Sequence, residues 1–311
     1  MSVLITEFMD EGAVAVLAAE FSTDYEPALV DDRAAMLARL ATATALIVRN
    51  RTQVDCAVLD AAPLLRVVGR LGVGLDNIDV AACQARGVAV IPATGANALA
   101  VAEYVIGTAM ALLRQAYTRS AETAAGAWPR NALSNGREIG GKTLGLIGFG
   151  GIGQLTARLA QGMGMNVIAH DPMLPDEAPL WTATGVTPRS LGLLLAESDV
   201  VSVHVPLTPQ TRNLIDATAL ERMRADAILV NTSRGGIVDE AALGAALRAG
   251  RLGGAAIDVF EQEPLGAGSA LADAPNTILT PHIAGVTLES NTRVSGLIAE
   301  RVGALLRSDP R

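Results

Sequence analysis

Three side chains that could together move a proton and hold an anion follow short apolar runs late in the chain. His282 stands in Thr280-Pro281-His282-Ile283-Ala284-Gly285, Arg234 in Asn231-Thr232-Ser233-Arg234-Gly235-Gly236, and Glu263 in Asp258-Val259-Phe260-Glu261-Gln262-Glu263-Pro264. An imidazole is the side chain suited to exchange a proton near neutral pH. A carboxylate on its second nitrogen would fix the tautomer and stabilise the imidazolium. A guanidinium can clamp a carboxylate through paired hydrogen bonds and polarise a carbonyl. Such a set suits a carbon that gives up a hydride while its hydroxyl gives up a proton. Taken singly, each residue reads equally as a solvated loop side chain. The remaining histidines fit lesser parts: His170 as a rim residue at a strand end, and His204, in SVHVPLT, as backbone lining for a cofactor.

A carrier for the hydride is suggested by Gly148-Phe149-Gly150-Gly151-Ile152-Gly153, a G-x-G-x-x-G match. The pattern alone is weak, and its surroundings decide. TLGLIG ahead of it is a buried-strand run, and Ile152, Leu155, Leu159 and Met163 after it share one helical face. The next strand ends at Asp171, 18 residues past Gly153. In such a unit Gly148 permits the turn, Gly150 lets the backbone approach a pyrophosphate, and Gly153 lets helix and strand pack closely. The amides of Gly151 and Ile152 would face the phosphate charge. Asp171 would accept hydrogen bonds from the adenosine ribose and repel a 2′-phosphate, which favours NAD over NADP.

The elements that must position these residues follow βα alternation. Val3–Thr6, Ala45–Val48, Arg66–Gly69 and Val88–Ile91 read as strands, with helical spacing over Glu11–Ala19, Asp31–Leu40, Val54–Ala62 and Asp79–Ala85. A long helix is expected over Ala98–Ala116, then a polar, turn-rich stretch from Arg119 to Gly141. Alternation resumes with strands at Thr143–Gly148, Asn166–His170, Val200–Val205, Ala227–Asn231, Ala255–Val259 and Thr277–Leu279, and a last helix from about Leu288 to Leu306. The fold class is therefore α/β, with two doubly wound, Rossmann-like parallel-sheet domains. Residues 98–286 form the nucleotide domain, inserted into a domain built from 1–97 and 287–311.

Composition closes off other classes. Half of the 311 residues are hydrophobic and only 3% aromatic, the filling of sheets flanked by helices rather than of a disordered chain. A net charge of −8 with a single lysine, Lys142, argues against nucleic acid and against an anionic membrane surface. Mean hydropathy is +0.35, yet the most suspicious run, Ala98–Leu113, has 16 residues and carries Glu103, short of a membrane span. The acidic N-terminus does not resemble a secretion signal, and Cys56 and Cys83 lack metal-like spacing. A cytoplasmic protein without a metal site is expected.

With these residues in place, the chain resembles the D-isomer-specific 2-hydroxyacid dehydrogenase family. The likeness rests on LGLIGFGGIG, SDVVSVHVPLTPQT, NTSRGGIVDE, AAIDVFEQEP and TPHIAG, five motifs in family order. It implies an NAD-dependent enzyme acting on a small anionic 2-hydroxy acid, with Arg234 and Glu263 supporting His282 as acid and base. It places NAD contacts on Gly148, Gly150, Gly151, Ile152, Gly153, Asp171, His204, Val205, Pro206, Thr211, Thr232, Ser233, Arg234, Asp258, His282 and Gly285. Substrate contacts fall on Val73 and Gly74, in a loop offering backbone amides to the carboxylate, on Asn97, and on Arg234 and His282. It further implies a flavodoxin-like substrate domain and a homodimer through the NAD-binding domain, with the Ala98–Ala116 helix and the Trp128 segment as dimer elements.

Arg49 and Arg51, in VRNRT after a strand, resemble the anion-binding pair of phosphoglycerate dehydrogenases, and the opening LITEFMDE resembles sulfolactate dehydrogenases. The bland alternative for the two arginines is surface pairing with Asp31 or Asp55. The likeness is to members without a C-terminal regulatory domain, so serine feedback is not expected. A glyoxylate or hydroxypyruvate reductase is the alternative within the family; an NAD-sensing interaction protein is the alternative outside catalysis.

Overall fold

The computed structural model describes residues 1–308. The chain divides into two compact units, one of Met1–Asn97 with the chain from Val286 onward, the other Ala98–Gly285, so Val286 goes with the first.

In the first unit, β1 (Ser2–Ile5), α1 (Glu11–Ala18), β2 (Ser22–Tyr25), α2 (Arg33–Arg39), β3 (Ala45–Val48), α3 (Cys56–Ala61), β4 (Val67–Arg70), α4 (Val80–Ala85) and β5 (Ala89–Pro92) alternate, as expected except for β2. All pairings are parallel, in the order β2-β1-β3-β4-β5, the flavodoxin-like arrangement. Side chains alternate across the sheet: Leu46 and Val48 enter one core with Val58 and Val68, while Ala45 and Ile47 enter the other with Leu17. Asp residues accept from the third helical residue's amide at the starts of α1, α2, α3 and α4, which explains where these helices begin. Strand β2 is not expected from the apolar pattern, because this edge strand reads STDY and is at most half-buried.

The second unit opens with α5 (Ala98–Arg114) and the short α6 (Ser120–Ala124), which interrupts the stretch expected to be turns. It continues with β6 (Thr143–Ile147), α7 (Gly151–Gly162), β7 (Asn166–His170), α8 (Pro179–Thr184), β8 (Thr187–Pro188), α9 (Leu191–Glu197), β9 (Val200–Val203), α10 (Ala217–Arg222), β10 (Ile228–Asn231), α11 (Glu240–Arg248), β11 (Gly254–Ile257) and β12 (Thr277–Leu279). Its seven strands run β12-β11-β10-β9-β6-β7-β8, the doubly wound nucleotide-binding order with a seventh strand at one edge. β9 and β6 are neighbours although five elements separate them in sequence, so the order reverses beside the glycine turn. Two cores, one around Leu229 and Leu243 and one around Leu146 and Val230, cover the two faces.

The last helix, α12 (Leu288–Ser308), belongs to the first unit. Val294, Ile298, Val302 and Leu306 recur at helical spacing and fill the core with Leu17 and Ile47. Gly69 in β4 makes the close approach possible: a Cβ there would lie 2.8 Å from Ile298 Cγ2. No described helix is long and apolar enough to cross a membrane.

Candidate active site

The glycine turn after β6 is built for a ligand on one side and for packing on the other. Gly148 has φ +94°, and a Cβ on it would meet the His204 carbonyl oxygen at 2.6 Å. A Cβ on Gly153 would stand 2.4 Å from the Gly148 carbonyl oxygen. Gly150 and Gly151 instead face open space, and no side chain caps α7. The first amides of a twelve-residue helix are thus left for an anion, as a dinucleotide pyrophosphate requires. Val205 packs against the Gly148 turn, which brings the segment after β9 beside it, as the strand order dictates.

At the end of β7, Asp171 accepts from the Phe149 and Met173 amides, both at 2.9 Å. These bonds fix the carboxylate against the glycine turn and leave lone pairs for two ribose hydroxyls. Asp171→Ala is expected to raise the NAD concentration needed for half-saturation about tenfold and to relax discrimination against NADP. Titration with both dinucleotides checks this, and an unchanged NAD:NADP preference would contradict the ribose role. Of the other expected cofactor contacts, Thr232 Oγ1 is buried without a hydrogen-bond partner among the described residues, as a group awaiting a ligand would be. Ser233 donates through its hydroxyl to the Val203 carbonyl at the end of β9, which ties its loop to that strand, and Thr211 donates to the Pro206 carbonyl within its own loop. Burial holds the His204 imidazole at about 4, neutral in ordinary buffers, with Nε2 2.9 Å from Ser202 Oγ.

Beyond β11 and β12, the structure brings Glu263 and His282 together. Glu263 Oε2 lies 2.8 Å from His282 Nδ1. A carboxylate only accepts, so Nδ1 carries the proton and Nε2 is left with a lone pair. The other oxygen, Oε1, accepts from the Phe260 amide at 3.0 Å and aims the carboxylate. His282 sits at φ +57°, a left-handed conformation unusual for a side chain with a Cβ. Asp258 holds it there. The Asp258 carbonyl accepts from the His282 amide (2.8 Å), and the buried carboxylate takes the Thr280 hydroxyl (2.6 Å) and the Ile283 and Ala284 amides (2.8 Å each). Tyr104 Oη on α5 lies 2.6 Å from Thr280 Oγ1 and extends the chain of hydrogen bonds. Asp258, expected at the cofactor, therefore commits both oxygens to the histidine loop.

Arg234 lies in a loop clamped by Asn231, whose Oδ1 accepts from the Ser233 amide (3.1 Å) and whose Nδ2 donates to the Arg234 carbonyl (3.0 Å). A Cβ on Gly235 would fall 1.9 Å from the Phe260 carbonyl oxygen, so the arginine and glutamate loops touch backbone to backbone. Gly285 closes the histidine loop, and Pro206 is exposed after β9.

In the first unit, the amides of Val73 and Gly74 have no acceptor among the described residues, and Asn97 Oδ1 is buried without a partner. Arg49 Nη2 donates to Asn291 Oδ1 at 2.6 Å and its guanidinium lies 5.7 Å from the Phe8 ring centroid, a cation–π contact. Burial lowers its pKa from the usual arginine value, though Glu7 opposes that. Arg51 is turned outward and paired with Asp31, and Asp55 is taken by Arg33. Sequence reasoning missed Glu7, which is 5% exposed and accepts from the amides of Arg49 (2.8 Å), Thr52 (2.9 Å) and Arg51 (3.2 Å). The one available signal was an acid within the apolar run VLITEF.

A strand order of this kind, an uncapped glycine-rich helix start and an acid closing the second strand define a dinucleotide-binding protein. Residues 106–284 match the model of the D-isomer specific 2-hydroxyacid dehydrogenase NAD binding domain, and the chain belongs to that family. It is 54% identical to an (S)-sulfolactate dehydrogenase of Chromohalobacter salexigens, over 96% of each chain. It is 41% identical to a D-3-phosphoglycerate dehydrogenase of Mycobacterium leprae, covering 99% of this chain but 57% of that one. Among solved structures it is similar to a Thermus thermophilus protein (34% identity, TM-score 0.88, 99% of this chain and 97% of the other). A glyoxylate reductase from Paecilomyes thermophila is also similar (28% identity, TM-score 0.85, 98% and 95% covered). The chain is thus an NAD-dependent 2-hydroxyacid dehydrogenase.

Proposed function

We propose that the substrate is a three-carbon 2-hydroxy acid with an anionic group on C3, sulfolactate in the first place and 3-phosphoglycerate in the second. The observation that carries the chemistry is the Glu263–His282 pair at 2.8 Å, which leaves Nε2 free to take a proton. The choice of sulfolactate is supported by the full-length likeness to a sulfolactate dehydrogenase. Handedness agrees. Sulfur outranks oxygen when substituents are ordered, so (S)-sulfolactate has the same spatial arrangement as D-lactate and D-3-phosphoglycerate.

When bound, NAD supplies the acceptor for the hydride leaving C2. The chain's residues do the rest. His282 Nε2 takes the hydroxyl proton as the C2–H bond breaks, and Glu263 stabilises the resulting imidazolium through Nδ1. In the reverse direction the same nitrogen returns the proton. Arg234 clamps the carboxylate and polarises the carbonyl oxygen. In the first unit, the family likeness assigns carboxylate binding to the amides of Val73 and Gly74 and to Asn97, and binding of the C3 anion to Arg49. Gly150, Gly151, Ile152, Asp171 and Thr232 hold the dinucleotide. The reading includes a cytoplasmic setting and a homodimer through the nucleotide unit, where Tyr117 (72%) and Trp128 (80%) stand exposed.

The test is steady-state NAD reduction with (S)-sulfolactate, D-3-phosphoglycerate, D-glycerate and D-lactate. Arg49→Ala is expected to raise KM for the two C3 anions about tenfold or more and to leave D-lactate nearly unchanged; Arg51→Ala is expected to do less, because Asp31 already pairs with it. Equal losses on all four acids would remove Arg49 from the anion site. Efficient turnover of glyoxylate or hydroxypyruvate alone would favour the reductase alternative.

A further inference from the structure

We propose that Glu7 makes the chain select a singly charged sulfonate over a doubly charged phosphate at C3, an inference that rests on the substrate reading above. The amides of Arg49, Arg51 and Thr52 converge after β3 as an anion-binding nest would, and the chain's own buried carboxylate fills it. Asn77 Nδ2 closes the same turn from the other side, donating to the carbonyls of Thr52 (2.6 Å) and Arg49 (3.3 Å). The turn is therefore rigid, and the backbone is not available to a substrate anion. That leaves the Arg49 guanidinium, steadied by Asn291 and Phe8.

Charge then decides. The two guanidinium groups of this turn, Arg49 and Arg51, are offset by two carboxylates, Glu7 and Asp31. A site so balanced can stabilise one negative charge through Arg49, but it meets a second with little remaining attraction. A sulfonate carries one charge at any working pH. A phosphate monoester carries between 1.5 and 2 near neutrality, because its second pKa is about 6. Glu7 is buried, so solvent and salt screen it less than they screen Asp31, which is exposed. Glu7 acts as a positioning and charge-setting residue; the contact with the anion belongs to Arg49.

The experiment compares kcat/KM for (S)-sulfolactate, D-3-phosphoglycerate and D-glycerate at about pH 8, where the phosphate is doubly ionised. The unaltered chain should favour sulfolactate. Glu7→Gln should move the phosphoglycerate-to-sulfolactate ratio about tenfold toward phosphoglycerate, whereas Glu7→Asp, which keeps the charge, should hold the original ratio. D-glycerate is uncharged at C3, so loss common to all three acids measures damage to the turn and cancels in the ratio. Should Glu7→Gln not fold, Asp31→Asn at the exposed pair should shift the ratio in the same direction by a smaller factor. A ratio unchanged within twofold in the folded variants, with turnover retained, overturns the role of Glu7 and leaves the sulfolactate reading standing. No turnover of either C3 anion by the unaltered chain overturns both.

Discussion

Replacing His282 with Asn is expected to lower kcat by about a thousandfold while NAD binds as before. Asparagine is the informative choice because it tolerates the left-handed backbone that this position adopts, at φ +57°. The loop then keeps its shape and only the proton acceptor is lost. A positioned general base contributes roughly 10²–10⁴ in rate, which brackets the expected loss. NAD affinity, measured by calorimetric titration, should change less than threefold, since the glycine turn and Asp171 lie on other loops. A variant retaining a tenth of the original kcat would refute the assignment of His282 as acid and base.

The second large effect is expected at Asp258, far less conspicuous in the sequence. Asp258→Ala removes the acceptor of three hydrogen bonds, from Thr280, Ile283 and Ala284, in a place that is 1% exposed. Hydrogen bonds to a charged group are worth about 1.5–3 kcal/mol each, and water entering the cavity restores part of that. A net loss of about 3 kcal/mol is a substantial share of the roughly 5–15 kcal/mol that holds a domain folded. At about 2–4 °C per kcal/mol, the melting temperature should fall by roughly 10 °C. Turnover should fall at least tenfold as well, because the freed loop relaxes His282 out of its unfavourable backbone conformation. Thermal melts and kcat measured on one preparation check both effects. A variant melting within 2 °C of its parent with full activity would show that the carboxylate does not hold this loop.

The contrast between these residues shows what the sequence made legible. Buried parallel strands announce themselves as apolar runs, so β3, β6, β9 and β10 are readable, whereas the polar edge strand β2 and the two-residue β8 carry no such pattern. The glycine turn and Asp171 are readable because short-range geometry fixes their spacing. Glu263 and His282 are readable as residue types, but their contact is not, since they stand 19 positions apart with a separate strand between them. Glu7 and Asp258 act by accepting from backbone amides, and an amide leaves no mark in a sequence. Arg51 is readable in two ways, as half of an anion pair or as a surface partner of Asp31 or Asp55; the fold settles it on Asp31.

The missing side chain of Gly235 carries a last implication. With so little space before the Phe260 carbonyl, any methyl group at this position must push the two backbones apart. The stretch bearing the guanidinium and the stretch bearing the carboxylate are consequently one mechanical piece, although Arg234 and Glu263 stand 29 positions apart in sequence. Transplanting a different arginine segment, for instance to change what the enzyme accepts, succeeds only if the 258–263 segment travels with it.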